Sequence, residues 1–367
     1  MKALYFSNYD LNDNASGVSK KIKMQLDGFL KNEVEIIAPV VFRHSFIDKV
    51  YTKLPFTSTM YDIAVSDYIN NKIDKNIRFV YMRHDVFTRK LVNNLKKLKR
   101  LGIKIFYEIP TYPYDRNEKK VKNIFMRLKD KKWRNIAGQY IDYIVDYSGA
   151  QEIFGAKTIN ISNGVNPDFI EPKKEFGNSN DIHLIGVALI APVHAFDRVI
   201  ESLKQYYLTV QTRKVYFHIV GDGDAKQYLI QLVRKYQLEE YVLFHGVQYG
   251  DSLDALYNLA DIGVGVLGIH RRYKNQKVSS LKTKEYSAKG IPFISSEIDD
   301  AFEKHECDFK YMLNQDDTAF DVNDVINWYD KIVEAYGSKQ QLSNHIRNYA
   351  YNYLTWKEQI SKIITNI

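Results

Sequence analysis

The sequence predicts an α/β protein made of two Rossmann-like domains, and three observations carry that expectation. Short apolar runs rich in β-branched and aromatic residues alternate with amphipathic helical stretches through both halves. A polar stretch containing Pro and Gly, from Glu171 to Asp181, interrupts this alternation and has no apolar period of its own. The 367 residues, 45% hydrophobic and 26% charged, suit two domains better than one very large core.

In the first half, strands are expected at residues 3–7, 35–39, 78–82, 104–109, 143–146 and 158–161. Each is a brief run of the Ala3-Leu4-Tyr5 or Ile105-Phe106-Tyr107 kind, suited to a strand covered on both faces. After the polar stretch the pattern restarts with a strand at 182–187, a helix at 197–207, a strand at 215–220 and a helix at 225–236. A strand at 242–244, a helix at 253–259, a strand at 262–266, a helix at 283–289, a strand at 292–295 and a tail of helices complete it. Two such halves imply a cleft between them.

The single cysteine, Cys307, rules out an intrachain disulfide and favours a reducing compartment. A strand beginning at Met1-Lys2-Ala3 leaves no room for a signal peptide, and no run reaches the ~20 apolar residues of a spanning helix. A cytoplasmic location is therefore expected. The formal net charge of +8 is local in origin: Arg89 to Lys104 holds seven Lys/Arg and no acid, and Lys119 to Arg134 holds eight against Asp130 alone. Both stretches interleave cations with apolar residues such as Leu91, Leu95, Leu98, Phe125, Met126 and Trp133. They read either as solvated helix faces with buried stripes or as surfaces that rest on anionic lipid at the inner face of the membrane.

In open parallel sheets ligands bind beyond the carboxyl ends of strands, where helix N-termini offer free N–H groups. After the first strand, Asn12 to Lys20 contains Gly17 at the opening of a helix, which is either a close-approach point for phosphate or an ordinary turn. After the strand at 215–220 comes Gly221-Asp222-Gly223-Asp224. Its two aspartates spell D-x-D, a divalent-metal pattern, but a tight turn with an Asp helix cap is sufficient to account for them. No metal or other cofactor is expected. The most informative stretch is Ser279 to Ile294: a Ser/Thr-capped helix ending at Gly290, with Lys282 in its first turn, where a diphosphate would sit, and Glu285 one turn inside, where it could accept ribose hydroxyls.

The run Ser280-Leu281-Lys282-Thr283-Lys284-Glu285-Tyr286-Ser287-Ala288-Lys289-Gly290-Ile291-Pro292 resembles the nucleotide-site signature of retaining GT-B glycosyltransferases of family 4, glycosyltransferase group 1. Asn163-Gly164-Val165-Asn166, Gly221-Asp222-Gly223, Phe244-His245-Gly246 and Ala260-Asp261-Ile262-Gly263-Val264 are similar to further family segments in the same order. The resemblance implies a GT-B fold, two Rossmann-like domains facing each other across a cleft. Residues 1–172, with a C-terminal helix at about 351–367 packing back on them, would form the acceptor side, and residues 181–350 the nucleotide-sugar side.

By the same resemblance Glu285 would bind the donor ribose, Lys282 and the backbone at Leu281 the diphosphate, and the turn at Gly246-Val247 the base, uridine by family habit. Lys277 stands eight residues before Glu285, where the family often has a second glutamate near the transferred sugar. The second phosphate-binding cation is sought among Arg198, Arg271 and Arg272. Glu108, in Glu108-Ile109-Pro110, and His84 are the catalytic candidates of the first domain. Transfer would proceed with retention, without an obligatory base, to a saccharide or lipid-linked acceptor in polysaccharide assembly. Three rival readings are a nucleic-acid binder, suggested by the net charge with 28 Tyr and 19 Phe, a dehydrogenase, and an inactive regulatory relative. A small-nucleotide helix argues against the first, and the lack of a full Gly-x-Gly-x-x-Gly after either opening strand argues against the second.

Overall fold

The computed structural model describes residues 1–12, 17–39, 54, 57–114, 124–177, 180–209, 211, 213–272 and 277–367. Residues 13–16 of the Gly17 loop and 119–123 of the second basic stretch lie outside them. The chain forms two compact units, Met1–Ser162 with Trp356–Ile367, and Asn163–Thr355.

In the first unit the chain runs β1 (Lys2–Phe6), α1 (Gly17–Leu30), β2 (Glu35–Ile37), α2 (Met60–Asn71), β3 (Ile77–Arg83) and α3 (Arg89–Arg100). It continues through β4 (Lys104–Ile109), α4 (Ile124–Gly138), β5 (Tyr143–Asp146), β6 (Glu152–Ile153) and β7 (Ala156–Asn160). The sheet order is β2-β1-β3-β4-β5-β7-β6, parallel throughout except for the β6–β7 hairpin at the edge. Strands buried on both faces explain the near-continuous apolar runs of β1, β3 and β4. Thr59 and Thr88 start α2 and α3 by accepting from the amides of Asp62 and Leu91.

The second unit runs β8 (Ile182–Leu189), α5 (Phe196–Tyr206), β9 (Val215–Asp222), α6 (Lys226–Tyr236), β10 (Val242–Gly246), α7 (Asp251–Leu259) and β11 (Ile262–Val264). It then forms α8 (Leu281–Lys289), β12 (Phe293–Ser295), α9 (Asp300–Glu303), β13 (Lys310–Met312), α10 (Val322–Ala335) and α11 (Lys339–Tyr353). Its all-parallel sheet has the order β10-β9-β8-β11-β12-β13, so the connections reverse direction between β8 and β11. Crevices at such a switch point, beyond the carboxyl ends of the strands, hold ligands.

The last helix, α12 (Trp356–Ile364), belongs to the first unit: Trp356 is buried and packs so closely on Gly28 of α1 that a side-chain carbon there would lie 2.9 Å from it. The units part at Ser162 and Thr355 rather than in the polar stretch after Glu171. That stretch is fastened to the second unit, where the amide of Lys173 donates to Lys289 O at 2.9 Å and that of Lys174 to Asn258 at 2.9 Å.

The two basic stretches differ. In α3 the stripe Leu91, Leu95 and Leu98 is core, so this helix has no apolar face to offer a membrane. In α4, by contrast, Ile124, Phe125 and Leu128 are about half exposed beside exposed Lys131 and Lys132. Among the described residues no helix is long and apolar enough to cross a membrane.

Candidate functional site

Three loops of the second unit meet beyond the carboxyl ends of β8, β9 and β11. Gly221 and Gly223 have φ of +127° and +155°, and an added Cβ would lie 1.8 Å from Ala188 O and 2.3 Å from Ile190 O. Only glycine lets the loop after β9 lie against the loop after β8. The amide of Gly268, after β11, donates to Val193 O at 3.1 Å and ties the third loop on. In the D-x-D, Asp222 accepts from the Gly223 amide at 2.9 Å and faces Lys226 at 3.4 Å, which fits the tight turn of the second reading. The expected Asp cap is not formed, since Ala225 precedes α6 and gives it no side-chain cap. Among the described residues no cluster of three metal-ligating side chains occurs.

Helix α8 stands beside these loops. Gly290, at φ +80°, ends it, and the amides of Gly290 and Ile291 close the last turn on Ser287 O and Tyr286 O. At its start Ser280 gives the helix no side-chain cap, and its hydroxyl instead turns to Glu297, to which it donates at 2.7 Å. The preceding residue, Ser279, holds the Asn163-Gly164 turn: its hydroxyl accepts from the Asn163 amide at 2.7 Å. Lys282 lies in the uncapped first turn with a buried Nζ that has no hydrogen-bond partner and sits 5.1 Å over the Phe196 ring. Burial pushes its pKa down to about 7, with Glu297 acting in the opposite direction. The positive charges of Lys282 and Arg272 help burial hold His194, stacked on Phe196, neutral. Glu285 lies one turn on, half-buried, where its charge adds to burial in raising the pKa of the buried Tyr257 hydroxyl.

An uncapped helix N-terminus with a desolvated ammonium is an anion site. Residues 168–353, just over half of the chain, match the family described as glycosyl transferases group 1. The chain belongs to this family.

The group 1 chain is 28% identical over 153 residues to an uncharacterized glycosyltransferase of Methanocaldococcus jannaschii, a match covering 41% of this chain and 35% of that protein. Among solved structures it is similar to Anabaena Alr3699/HepE in complex with UDP, with a TM-score of 0.62 at 13% identity over all of both chains. Sucrose-phosphate synthase from Thermosynechococcus elongatus gives 0.62 at 13% identity, covering 100% of this chain and 98% of that one. These likenesses show the fold, the two Rossmann-like domains of the GT-B class.

Several site expectations for this glycosyltransferase chain need correction. Arg198 is 2% exposed, and its guanidinium is spent on the carbonyls of Leu267, Asn314 and Thr318, at 2.6, 3.2 and 3.0 Å, where it staples loops together. Arg271 is clamped by both oxygens of Asp197, at 2.9 and 2.8 Å, and by Asp317 at 2.6 Å. Neither is available as a second phosphate cation without breaking those bonds. Gly246, at φ +66°, turns the chain out of β10 and leaves Val247 49% exposed, while Gly17 has open space where a Cβ would be. The freedom of glycine is thus required at Gly246 and not at Gly17.

In the first unit Glu108 is fully buried and saturated. Oε1 accepts from Arg83 at 2.5 Å, Lys21 at 3.2 Å and Tyr147 at 2.9 Å, and Oε2 from Tyr81 at 3.1 Å and Gln25 at 3.3 Å. Burial alone would raise its pKa, but Arg83 and Lys21 hold it down at about 2. A carboxylate so ionised and enclosed cannot take a substrate proton, and its catalytic assignment is withdrawn. His84 lines a cavity of about 70 Å³ with Tyr114, Arg127 and Asp130, stacked on Tyr114 and 3.3 Å from the Tyr107 hydroxyl. Burial, then the Arg83 charge, lower its pKa to about 3, so it stays neutral.

The residue that sequence reasoning missed is Glu297, two positions beyond β12. The rule that ligands lie past strand carboxyl ends would have marked it. Lys277, in place of the expected glutamate, pairs with Asp300 at 2.6 Å.

Proposed function

We propose that this chain is a hexosyltransferase that moves a sugar, with retention, from a nucleoside diphosphate sugar of the UDP type to a saccharide acceptor. The observation that carries this reading is the buried, unpartnered ammonium of Lys282 in the uncapped first turn of α8, among loops that glycines bring together. A diphosphate supplies the anion this turn needs, and a base and ribose would extend toward Gly246-Val247 and Glu285. Charge developing on the departing phosphate would be stabilised by Lys282 and the helix amides, set in place before reaction. The similar Alr3699/HepE binds UDP and, in another crystal, UDP-glucose.

A lipid-linked acceptor in surface polysaccharide or glycoconjugate assembly, met at the inner face of the cell membrane, is the further part of this proposal. Its support is the apolar and basic surface of α4. A second reading, an inactive nucleotide-sugar binder, draws on Lys277 and its pairing with Asp300.

The test is a thermal-shift screen of nucleoside diphosphates and their sugars, followed by transfer assays. A ligand at 100 times its Kd should add about 2.7 kcal/mol to stability. Glu285→Ala should lower kcat/KM for the donor at least roughly tenfold, the loss of one charge-assisted hydrogen bond. Normal donor kinetics in that variant would remove Glu285 from the site, and binding without transfer or hydrolysis would favour the inactive reading.

A further inference from the structure

Glu297 is 1% exposed, yet only one of its carboxylate oxygens is used. Oε1 accepts from the hydroxyls of Ser280, at 2.7 Å, and Thr283, at 3.0 Å. These two residues bracket the first turn of α8, so the carboxylate is fixed against the turn that carries Lys282. Oε2 has no hydrogen-bond partner. A buried carboxylate oxygen without a donor is costly, and such a group calls for a partner from outside the chain: a water, an ion or a ligand.

The neighbouring carboxylates are already engaged. Asp299 is paired with Lys284, Asp300 with Lys277, and Glu303 with Lys310. Lys282 Nζ is likewise unsatisfied, resting over the Phe196 ring rather than on a carboxylate. One helical turn therefore holds two unsatisfied groups of opposite charge. A ligand that completes both must carry an anion and hydrogen-bond donors on adjoining atoms. A nucleoside diphosphate ends in phosphate oxygens here, whereas a sugar joined to the diphosphate through its anomeric oxygen adds hydroxyls on the ring beginning at the neighbouring carbon.

We propose that Glu297 is the residue that holds the transferred sugar, its Oε2 accepting sugar hydroxyls while Lys282 takes the adjoining phosphate. The inference rests on the donor-site reading above and adds the selection of a hydroxylated sugar over a free nucleotide.

The experiment compares wild type, Glu297→Gln and Glu297→Met by calorimetry. The ligands are uridine, guanosine and adenosine diphosphates and their hexose conjugates, with melting curves checking the fold. Glutamine keeps the length and the ties to Ser280 and Thr283 but removes the charge, and methionine removes the acceptor in every orientation. For the nucleotide that wild type binds best, Glu297→Gln, which keeps those ties, should hold its Kd within about twofold, and Glu297→Met should weaken it less than it weakens the nucleotide hexose. The Kd of the matching nucleotide hexose should rise at least about tenfold, and its turnover should fall by at least as much. Equal losses on nucleotide and nucleotide sugar, or no loss on either, would overturn the role of Glu297. Failure of wild type to bind any of these nucleotides would instead overturn the donor-site reading beneath it.

Discussion

Lys282 and Glu108 are both buried ionisable residues, and their surroundings decide opposite roles for them. Glu108 has five donors around it, two of them the cations Lys21 and Arg83, so it stays charged and inert within its unit. Lys282 has no hydrogen-bond partner, and burial lowers its pKa to about 7. Below that pH the free site is already cationic; above it, binding a phosphate draws a proton from the solvent onto Lys282. Binding of a nucleotide sugar, whose phosphates do not titrate in this range, should therefore take up about one proton at pH 8 and almost none at pH 6. Calorimetry in buffers of different ionisation enthalpy measures this directly. Lys282→Met should abolish the uptake and weaken binding by roughly tenfold or more. Uptake that persists in the variant would assign the proton to another group. The lysine itself was legible from Ser280-Leu281-Lys282-Thr283, but its isolation was not, because that depends on Phe196 and Glu297, which are distant in sequence.

Among the elements, β8, β9 and β10 carry a feature that periodicity does not reveal. His183, His218 and His245 stand side by side on adjacent strands, with Nδ1 of His183 and Nε2 of His218 3.0 Å apart and Nδ1 of His218 and Nε2 of His245 also 3.0 Å apart. Neutral rings can pass one N–H along this row; a protonated middle ring could donate to both neighbours, so what opposes its charge is burial and the flanking histidines rather than a lost hydrogen bond. Burial first, then the two flanking histidines, lower His218 to about 4; burial also lowers His183 and His245. Asp261 counteracts burial at His183, while Lys173 and Lys339 reinforce it. Because the folded pKa of His218 lies below the unfolded value of 6.5, the unfolded chain binds more protons between about 4 and 6.5. Stability should fall as pH drops through that window. Melting followed by circular dichroism should show a midpoint several degrees lower at pH 5 than at pH 7, with a shallower slope for His218→Phe. An unchanged slope would show that the row does not govern acid stability. The strands were legible from their apolar runs, but β6 and β13 were not, since Glu152-Ile153 and Lys310-Tyr311-Met312 form no run of β-branched apolar residues.

For the whole molecule, the net charge of +8 becomes informative once its placement is known. The leucines of α3 are core, whereas among the described residues α4 sets exposed Ile124, Phe125 and Leu128 beside exposed lysines, and the proposed lipid contact is placed there. Vesicles containing anionic lipid should sediment the protein at low salt and release it at high salt, at roughly 1 kcal/mol per cation near the surface. Phe125→Ser with Leu128→Ser should reduce the bound fraction, and equal binding to neutral vesicles would end the idea. The sequence by itself determined two α/β halves, the strands that carry them and the short segment around Lys282 and Glu285, because alternation, helix stops and glycine turns are local properties of the chain. Only the tertiary structure decided that Glu108 and Arg198 are enclosed by partners, that Trp356 closes the first unit against Gly28, and that Glu297 meets the first turn of α8. Burial and pairing of charge depend on residues far apart in the chain, and their energies are settled only when folding brings those residues within hydrogen-bond distance.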